Sequence, residues 1–366
     1  MKKILLATAA MAAATALVLS GCSSREEAPA EGGDSAGFEA GSLIGVALPD
    51  KTSENWVLAG DLFTNGLEEA GFESDVQYAG ASNAVKDQQD QISSMVTNGA
   101  KVIIIGAKDG AQLSTQVQQA KDSGAIVIAY DRLILNTEAV DYYVAFDNFQ
   151  VGELQGTALL EGLAAKFPDQ DTYNVELFAG SSDDANAPAF FDGAMSILQP
   201  KIDDGTLVVV SGQTDIKQAY TAGWKPENAQ SRMDTLLQGS YSGGVNIDGV
   251  LSPNDTLARA IITSVTNDGR DAPVVTGQDS EVESVKSIVA GVQYSTIYKD
   301  TRALVAQAID MVSELQEGGT AETTDTDSYD NGVKKVPAYI LAPVIVTQEN
   351  AAEVYANDEA LAPLTK

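Results

Sequence analysis

Carboxylate, amide and guanidinium side chains stand at the ends of six short apolar runs, each of which reads as a buried strand. In chain order, these groups include Asn55 and Trp56, then Asp131 and Arg132, Asp147 and Asn148, Asp184 and Asn186, Asn254 and Asp255, and Gln278 and Asp279. Planar carboxylates, amides and guanidinium groups bond neighbouring hydroxyls in pairs, and an aromatic ring packs on the C–H face of a pyranose. This combination predicts a neutral polyol ligand, a sugar.

Each of these residues also has a purely structural explanation. A single Asp or Asn after a strand often caps the next helix, and both Asp184 and Asp255 precede predicted helices. Trp56 is explained equally well as a core residue, and Asp131 beside Arg132 as a structural ion pair. The recurrence of such residues at corresponding strand ends favours binding.

Composition excludes several kinds of chemistry. The chain has 366 residues, a net charge of −30, no His and one Cys. It therefore has no Ser-His-Asp triad, His metal site, internal disulfide or Cys zinc site. No Gly-Lys-Ser/Thr occurs, so there is no P-loop. We expect neither a cofactor nor a metal, and so acidic a chain disfavours nucleic acid as a partner.

The N-terminus predicts export. Lys2 and Lys3 precede an apolar run that ends in Leu-Ser-Gly-Cys, with Cys22 the single Cys of the chain. This ending resembles the lipobox of bacterial lipoproteins, which implies cleavage after residue 21 and a lipid on Cys22. An ordinary signal peptide is the alternative. Residues 22–42 are polar and rich in turn residues, which predicts a flexible tether. The folded body would then lie outside the cytoplasmic membrane, anchored by lipid.

From residue 43 the chain alternates strand-like runs with amphipathic stretches of helical length. Strands are predicted at 43–48, 74–78, 101–105, 125–129, 174–178, 207–210, 249–251 and 273–276, and helices at 56–70, 84–97, 111–122, 188–199, 226–238 and 255–267. Alternating strands and helices form parallel sheets covered on both faces. Two successive units of this kind predict two α/β lobes with a cleft between them, and ligands of such sheets bind beyond the carboxyl ends of the strands.

Residues 324–332 faintly suggest a calcium-binding loop. The spacing fails because Tyr329 stands where an oxygen ligand belongs. We interpret the segment as an acidic loop that leads into the last hinge strand.

Several longer stretches resemble the periplasmic-binding-protein type I superfamily, the sugar-binding components of ABC importers. Within it, the chain is most similar to the multiple-monosaccharide-binding (ChvE-type) branch, beside the xylose-binding proteins. The resemblance covers about residues 43–350, and its most specific stretches are 128–134, 146–152, 192–195, 251–253, 277–279, 294–301 and 329–333.

The resemblance implies two Rossmann-like lobes, each a doubly wound parallel sheet, joined by a three-segment hinge. It places residues 43–148 with about 300–325 in the first lobe, and 149–299 with about 326–366 in the second. The implied sugar-binding residues are Asn55, Trp56, Asp131, Arg132, Asn186, Trp224, Asp255, Asp279 and Lys299, with Trp56 and Trp224 sandwiching the ring. Lys51, Asp147, Asn148, Asp184, Asn254 and Gln278 are expected to support them. Relatives carry Arg where this chain has Asn55, so the sugar preference is not transferred.

The implied function is capture of a pentose or hexose by closure of the lobes and its delivery to an ABC-transporter permease, by a monomer without enzymatic activity. One alternative is a sugar receptor that presents the closed complex to a membrane sensor. Another is a glycoside hydrolase that uses Asp131 and Asp255, but Arg132 beside Asp131 favours an ionised acceptor over a general acid.

Overall fold

The computed structural model describes residues 37–366. The predicted signal peptide, Cys22 and most of the predicted tether lie outside the described residues. Within residues 37–366, no helix combines the length and the apolar character that a membrane span requires.

The described part of the chain alternates strands and helices as predicted. The strands are β1 (Leu43–Leu48), β2 (Glu73–Tyr78), β3 (Val102–Ile105), β4 (Ile126–Tyr130), β5 (Tyr142–Phe146), β6 (Tyr173–Leu177), β7 (Leu207–Val209), β8 (Gly249–Leu251), β9 (Val274–Val275), β10 (Ser295–Tyr298), β11 (Ala338–Leu341) and β12 (Val344–Thr347). The helices are α1 (Glu54–Glu69), α2 (Ala84–Thr97), α3 (Ser114–Asp122), α4 (Asn148–Lys166), α5 (Asn186–Asp203), α6 (Ile216–Ala219), α7 (Pro226–Gln238), α8 (Asp255–Asn267), α9 (Val282–Val289), α10 (Thr301–Gln316) and α11 (Ala351–Val354).

The first lobe is built on a parallel sheet with the strand order β2-β1-β3-β4-β5-β11. Its strands alternate their side chains between two apolar layers because successive residues of a strand point to opposite faces. Val102 and Ile104 join the layer that contains α1 and α10. Ile103 and Ile105 join the layer that contains α2 and α3. A strand covered on both faces is apolar throughout, which is why the run 101–105 was recognisable in the sequence.

The second lobe repeats this plan with the parallel order β7-β6-β8-β9. Helices α4 and α5 pack on one face of this sheet and α7 and α8 on the other. Strands β10 and β12 form a separate antiparallel pair. The chain passes between the lobes after β5, between β10 and α10, and between β11 and β12, which confirms the predicted fold class of two lobes joined by three segments.

Two parts of the predicted domain division are wrong. The resemblance places residues 326–341 in the second lobe, but β11 pairs with β5 and completes the first sheet. The predicted tether also ends before residue 42, because Phe38 packs against Phe72, with the ring centroids 6.2 Å apart. The remaining lobe boundaries stay a prediction.

Helices α4 and α5 approach each other closely through glycines. A Cβ atom on Gly152 would lie 2.0 Å from the carbonyl oxygen of Phe190, and one on Gly193 would lie 2.1 Å from that of Phe149. Backbone atoms cannot yield as a side chain can, so these positions require glycine. The contact fixes the first turns of α5, which carry Asn186 and Phe190.

We predict that Gly152→Ala destabilises the protein by about 1–3 kcal/mol, the usual effect of overpacking a close contact. Gly66→Ala is the matched control, because its methyl group would meet only the terminal methyl of Ile309 and the substitution improves helix propensity. Urea unfolding of both variants measures the difference. Equal unfolding midpoints for the two variants would contradict the close packing of α4 on α5.

Candidate functional site

A cavity lies between the two lobes, beyond the carboxyl ends of the parallel strands, where open α/β sheets bind ligands. The cavity has a volume of about 80 Å³, several times the roughly 10–15 Å³ that a single water needs. Its walls include Asp50, Ser53, Asn55, Trp56, Lys108, Tyr130, Asp131, Arg132, Asp184, Asn186, Phe190, Trp224, Asn254, Thr256, Gln278, Asp279 and Lys299. A space of this size fits a molecule with the dimensions of a monosaccharide.

Most of the residues selected from the sequence line this cavity. Of the implied sugar-binding residues, those at the wall are Asn55, Trp56, Asp131, Arg132, Asn186, Trp224, Asp279 and Lys299. Of the supporting residues, Asp184, Asn254 and Gln278 also reach it. Lys51, Asp147 and Asn148 do not. Lys51 lies over the ring of Tyr78, Asp147 caps α4, and Asn148 contacts the hydroxyl of Tyr143.

Asp255, which was expected to contact the ligand directly, does not line the cavity. Asp255 is fully buried. One carboxylate oxygen accepts a hydrogen bond from Gln293 Nε2, and the other accepts from the backbone N–H of Glu281 and the hydroxyl of Thr296. Its neighbour Asn254 lines the cavity instead and also caps α8.

Three ion pairs carry most of the charge in the wall. Lys108 Nζ lies 3.0 Å from Asp50, Arg132 Nη2 lies 2.9 Å from Asp184, and Lys299 Nζ lies 3.0 Å from Asp279. All six side chains are at most 14% exposed. Charges removed from water are stable only when they are paired or hydrogen-bonded. The pairs therefore allow a strongly polar cavity that carries little net charge.

Asp131 is the exception, since its carboxylate makes no hydrogen bond or ion pair within residues 37–366. Burial raises the pKa of the Asp131 carboxyl, although nearby Lys299 and Arg132 act in the opposite direction. Its backbone is left-handed, with φ of 61°. The structure thus places an acceptor without a partner at the cavity wall. Asp131 and Arg132 do not form the structural ion pair considered above, because Arg132 pairs with Asp184 from the other lobe.

Two buried atoms of residues that line the cavity also lack partners within residues 37–366. Arg132 donates from Nη1 to the carbonyl of Ala107, but its Nε–H has no acceptor, and the side-chain oxygen of Gln278 has no donor. An unsatisfied buried polar group costs about 1–3 kcal/mol. Both residues line the cavity, so a bound polar molecule would satisfy them.

Aromatic rings form other parts of the wall. The two tryptophans of the chain, Trp56 and Trp224, both line the cavity. The guanidinium of Arg132 lies 5.3 Å from the Trp56 ring centroid. Trp224 has a left-handed backbone with φ of 57° and donates from Nε1 to Asp184. Its ring packs on Gly180, where a Cβ atom would come within 2.1 Å of it.

The two lobes touch each other around the cavity. Asn55 donates to the backbone carbonyl of Asp279, and Asn186 donates to that of Asp131. At the rim, the backbone N–H of Val282 donates to the Glu54 carboxylate. Each bond joins one lobe to the other, so the cleft is in a closed conformation.

Sequence reasoning missed several cavity residues, among them Lys108, Asp50 and Phe190. Lys108 follows β3, and a search of that strand end would have found it. Asp50 lies in the same loop as Asn55 and Trp56, and only its pairing with Lys108 shows that it belongs to the wall. Phe190, in the first turns of α5, lines the cavity with its ring 5.6 Å from Lys299 Nζ.

The acidic loop at 324–332 uses its carboxylates internally. Asp325 accepts from the backbone N–H groups of Asp327 and Ser328, and Asp330 accepts from that of Gly332. The described residues contain no group of three or more carboxylate or thiol side chains arranged to hold a metal ion.

Comparison with known proteins agrees with this geometry. Residues 44–320 match the family model described as the periplasmic binding protein domain. The multiple sugar-binding periplasmic receptor ChvE of Rhizobium radiobacter is 46% identical over 97% of this chain and 96% of its own length. The multiple sugar-binding periplasmic protein SbpA of Azospirillum brasilense is 47% identical over 84% of this chain and 86% of its own.

A solved structure of similar sequence carries a ligand. It is an ABC transporter solute binding protein from Clostridium phytofermentans with bound β-D-glucose. It is 40% identical, has a TM-score of 0.83, and covers 89% of this chain and 100% of its own.

Proposed function

The chain belongs to the periplasmic binding protein family, and on that premise we propose that it captures a monosaccharide between its lobes and delivers it to an ABC importer. One observation carries the proposal: the closed cavity combines buried carboxylate–cation pairs with two tryptophan rings. Paired carboxylates and cations bond vicinal hydroxyls, and the rings pack on the C–H faces of the sugar.

The charges of the wall favour a ligand without net charge. Three cations, Lys108, Arg132 and Lys299, face four carboxylates, three of which belong to the ion pairs. A phosphate or carboxylate on the ligand would be repelled by the fourth, Asp131. Sugar hydroxyls would instead donate to Asp131, while a ring or hydroxyl oxygen would accept from Arg132 Nε.

The proposed mechanism is closure on the ligand. Asn55, Asp131 and Arg132 belong to the first lobe. The wall residues between positions 184 and 299 belong to the second lobe or the hinge. A sugar that bonds both sets stabilises the closed state, and only differential binding of this kind shifts a conformational equilibrium. We propose that the permease recognises the closed form.

The chain is a binding protein and not an enzyme. The relatives that it matches are also binding proteins. The glycoside hydrolase alternative needed Asp131 and Asp255 on either side of a bond, and Asp255 does not reach the cavity. Presentation of the closed complex to a membrane sensor remains a prediction. The relative from Rhizobium radiobacter, which is named a receptor, is what supports it.

We predict that ligand binding changes the protein's tryptophan fluorescence, because both rings line the cavity. The purified protein would be titrated with glucose, galactose, xylose, arabinose, ribose and fructose. At least one should bind with micromolar or tighter affinity. Asp279→Ala should weaken that affinity at least about a hundredfold, because closure on the sugar would then bury Lys299 without its partner, which costs about 3–5 kcal/mol.

The matched control is Lys51→Ala, which removes a charged side chain that lies over the Tyr78 ring and does not line the cavity. It should leave affinity unchanged. Absence of binding by all six sugars, from protein that circular dichroism shows to be folded, would contradict the monosaccharide proposal.

We also propose that the mature protein begins at a lipidated Cys22 and lies outside the cytoplasmic membrane as a monomer. The lipobox-like ending of the first 21 residues supports this location. We predict that the protein partitions into detergent and that mass spectrometry finds diacylglycerol on Cys22. Cys22→Ser should abolish both properties. A mature N-terminus at another residue would contradict the lipoprotein prediction.

A further inference from the structure

The backbone that presents Asp279 to the cavity has an unfavourable conformation. Asp279 and the following Ser280 both have positive φ, 95° and 52°, in a region that favours glycine. Each such residue costs about 1–3 kcal/mol and persists only where its surroundings enforce it. The contacts that hold this turn therefore also determine where the Asp279 carboxylate lies.

Asp255 holds the turn from behind. One of its carboxylate oxygens accepts from the N–H of Glu281 at 3.0 Å and from the hydroxyl of Thr296 at 2.9 Å. The oxygen of that hydroxyl in turn accepts from the N–H of Ser280 at 3.2 Å. The other carboxylate oxygen accepts from Gln293 at 2.8 Å. All of these partners donate, so the two acceptor oxygens of a carboxylate satisfy every one of them.

The C-terminal segment holds the same turn from a second side. The hydroxyl of Tyr355 donates to Oγ of Ser280 at 2.7 Å, and the Tyr355 ring is fully buried. The ring packs edge-on against Tyr298, with the centroids 5.2 Å apart. Arg302 pairs with Asp358 and donates to the hydroxyl of Tyr298. The last 16 residues are thereby connected to the cavity wall.

We propose that Asp255 and Tyr355 are positioning residues for ligand binding: together they hold the left-handed turn at Asp279–Ser280 and so place the Asp279 carboxylate against Lys299 in the cavity. The proposal rests on the proposed function, since Asp279 acts on the ligand. Neither positioning residue lines the cavity, and both act through a residue that does.

Amide hydrogen exchange of the ligand-free protein tests the positioning role without any sugar. Asp255→Asn turns an NH₂ group toward at least one donor, and Tyr355→Phe removes one hydroxyl. The amides of Asp279, Ser280 and Glu281 should exchange about three- to thirtyfold faster in each variant, as loss of one hydrogen bond implies. Unchanged exchange at all three amides in both variants would overturn the proposal, whether or not a sugar binds.

D-glucose titration in a double-mutant cycle tests the effect on binding. Tyr355→Phe and Asp255→Asn should each weaken D-glucose binding by about three- to thirtyfold, on the same hydrogen-bond energies. In the background of Asp279→Ala, neither should weaken it further, because residues that act through one group are not additive. Full additivity would show that the two residues act elsewhere and would overturn the proposal.

Tyr241→Phe is the matched control. It also removes the hydroxyl of a fully buried tyrosine, one that contacts Glu176 in the second lobe, and Tyr241 does not line the cavity. It should lower stability without changing D-glucose affinity or exchange at residues 279–281. If Tyr241→Phe weakens binding as much as Tyr355→Phe, the effect is general destabilisation and the positioning role is wrong. Failure of the unmutated protein to bind any sugar would contradict the proposed function, and the exchange experiment would still decide the positioning role.

Discussion

Charged side chains that leave water must find partners, and this constraint determines the layout of the cavity. Breaking a buried ion pair leaves an uncompensated charge and costs about 3–5 kcal/mol. Asp50 with Lys108 and Asp279 with Lys299 satisfy each other within one lobe or at its hinge. Arg132 and Asp184 satisfy each other only across the cleft. Closure of the lobes is therefore required to complete the electrostatics of the wall.

The closed conformation leaves a defined polar deficit at the cavity. The Asp131 carboxylate has no partner among the described residues, and both Arg132 Nε and the Gln278 side-chain oxygen are buried without one. A monosaccharide supplies both donors and acceptors without adding charge. The same atoms explain why ligand and closure stabilise each other: the ligand satisfies groups that closure buries, and closure removes the water that would compete with it.

Much of the fold was predictable because its signals are local. Apolar runs marked the strands, and strand 249–251 was predicted with its exact bounds. Amphipathic periodicity marked the helices, and helix 84–97 was likewise predicted with its exact bounds. The contribution of β11 to the first sheet was not predictable in this way. It depends on pairing with β5, almost 200 residues earlier in the chain, and periodicity contains no information about pairing partners.

The sequence predicted which strand ends contribute to the site. It did not predict which residue at each strand end faces the cavity. Strand ends identified Asp131, Arg132 and Asp279, because parallel strands bring their carboxyl ends to one edge. Which of two adjacent residues faces the cavity depends on helix geometry, so Asn254 reaches the wall and Asp255, the next residue, turns inward. The likeness to sugar-binding proteins led to the wrong choice there, and the hydrogen bonds of Asp255 explain why.

Small-angle X-ray scattering, with and without a saturating mixture of the six sugars, tests the central claim most directly. If a sugar binds by closing the lobes, the radius of gyration falls on addition of the mixture and the scattering then matches the closed conformation described here. If tryptophan fluorescence reports binding while the scattering profile stays the same, ligand capture does not depend on closure, and the account is wrong.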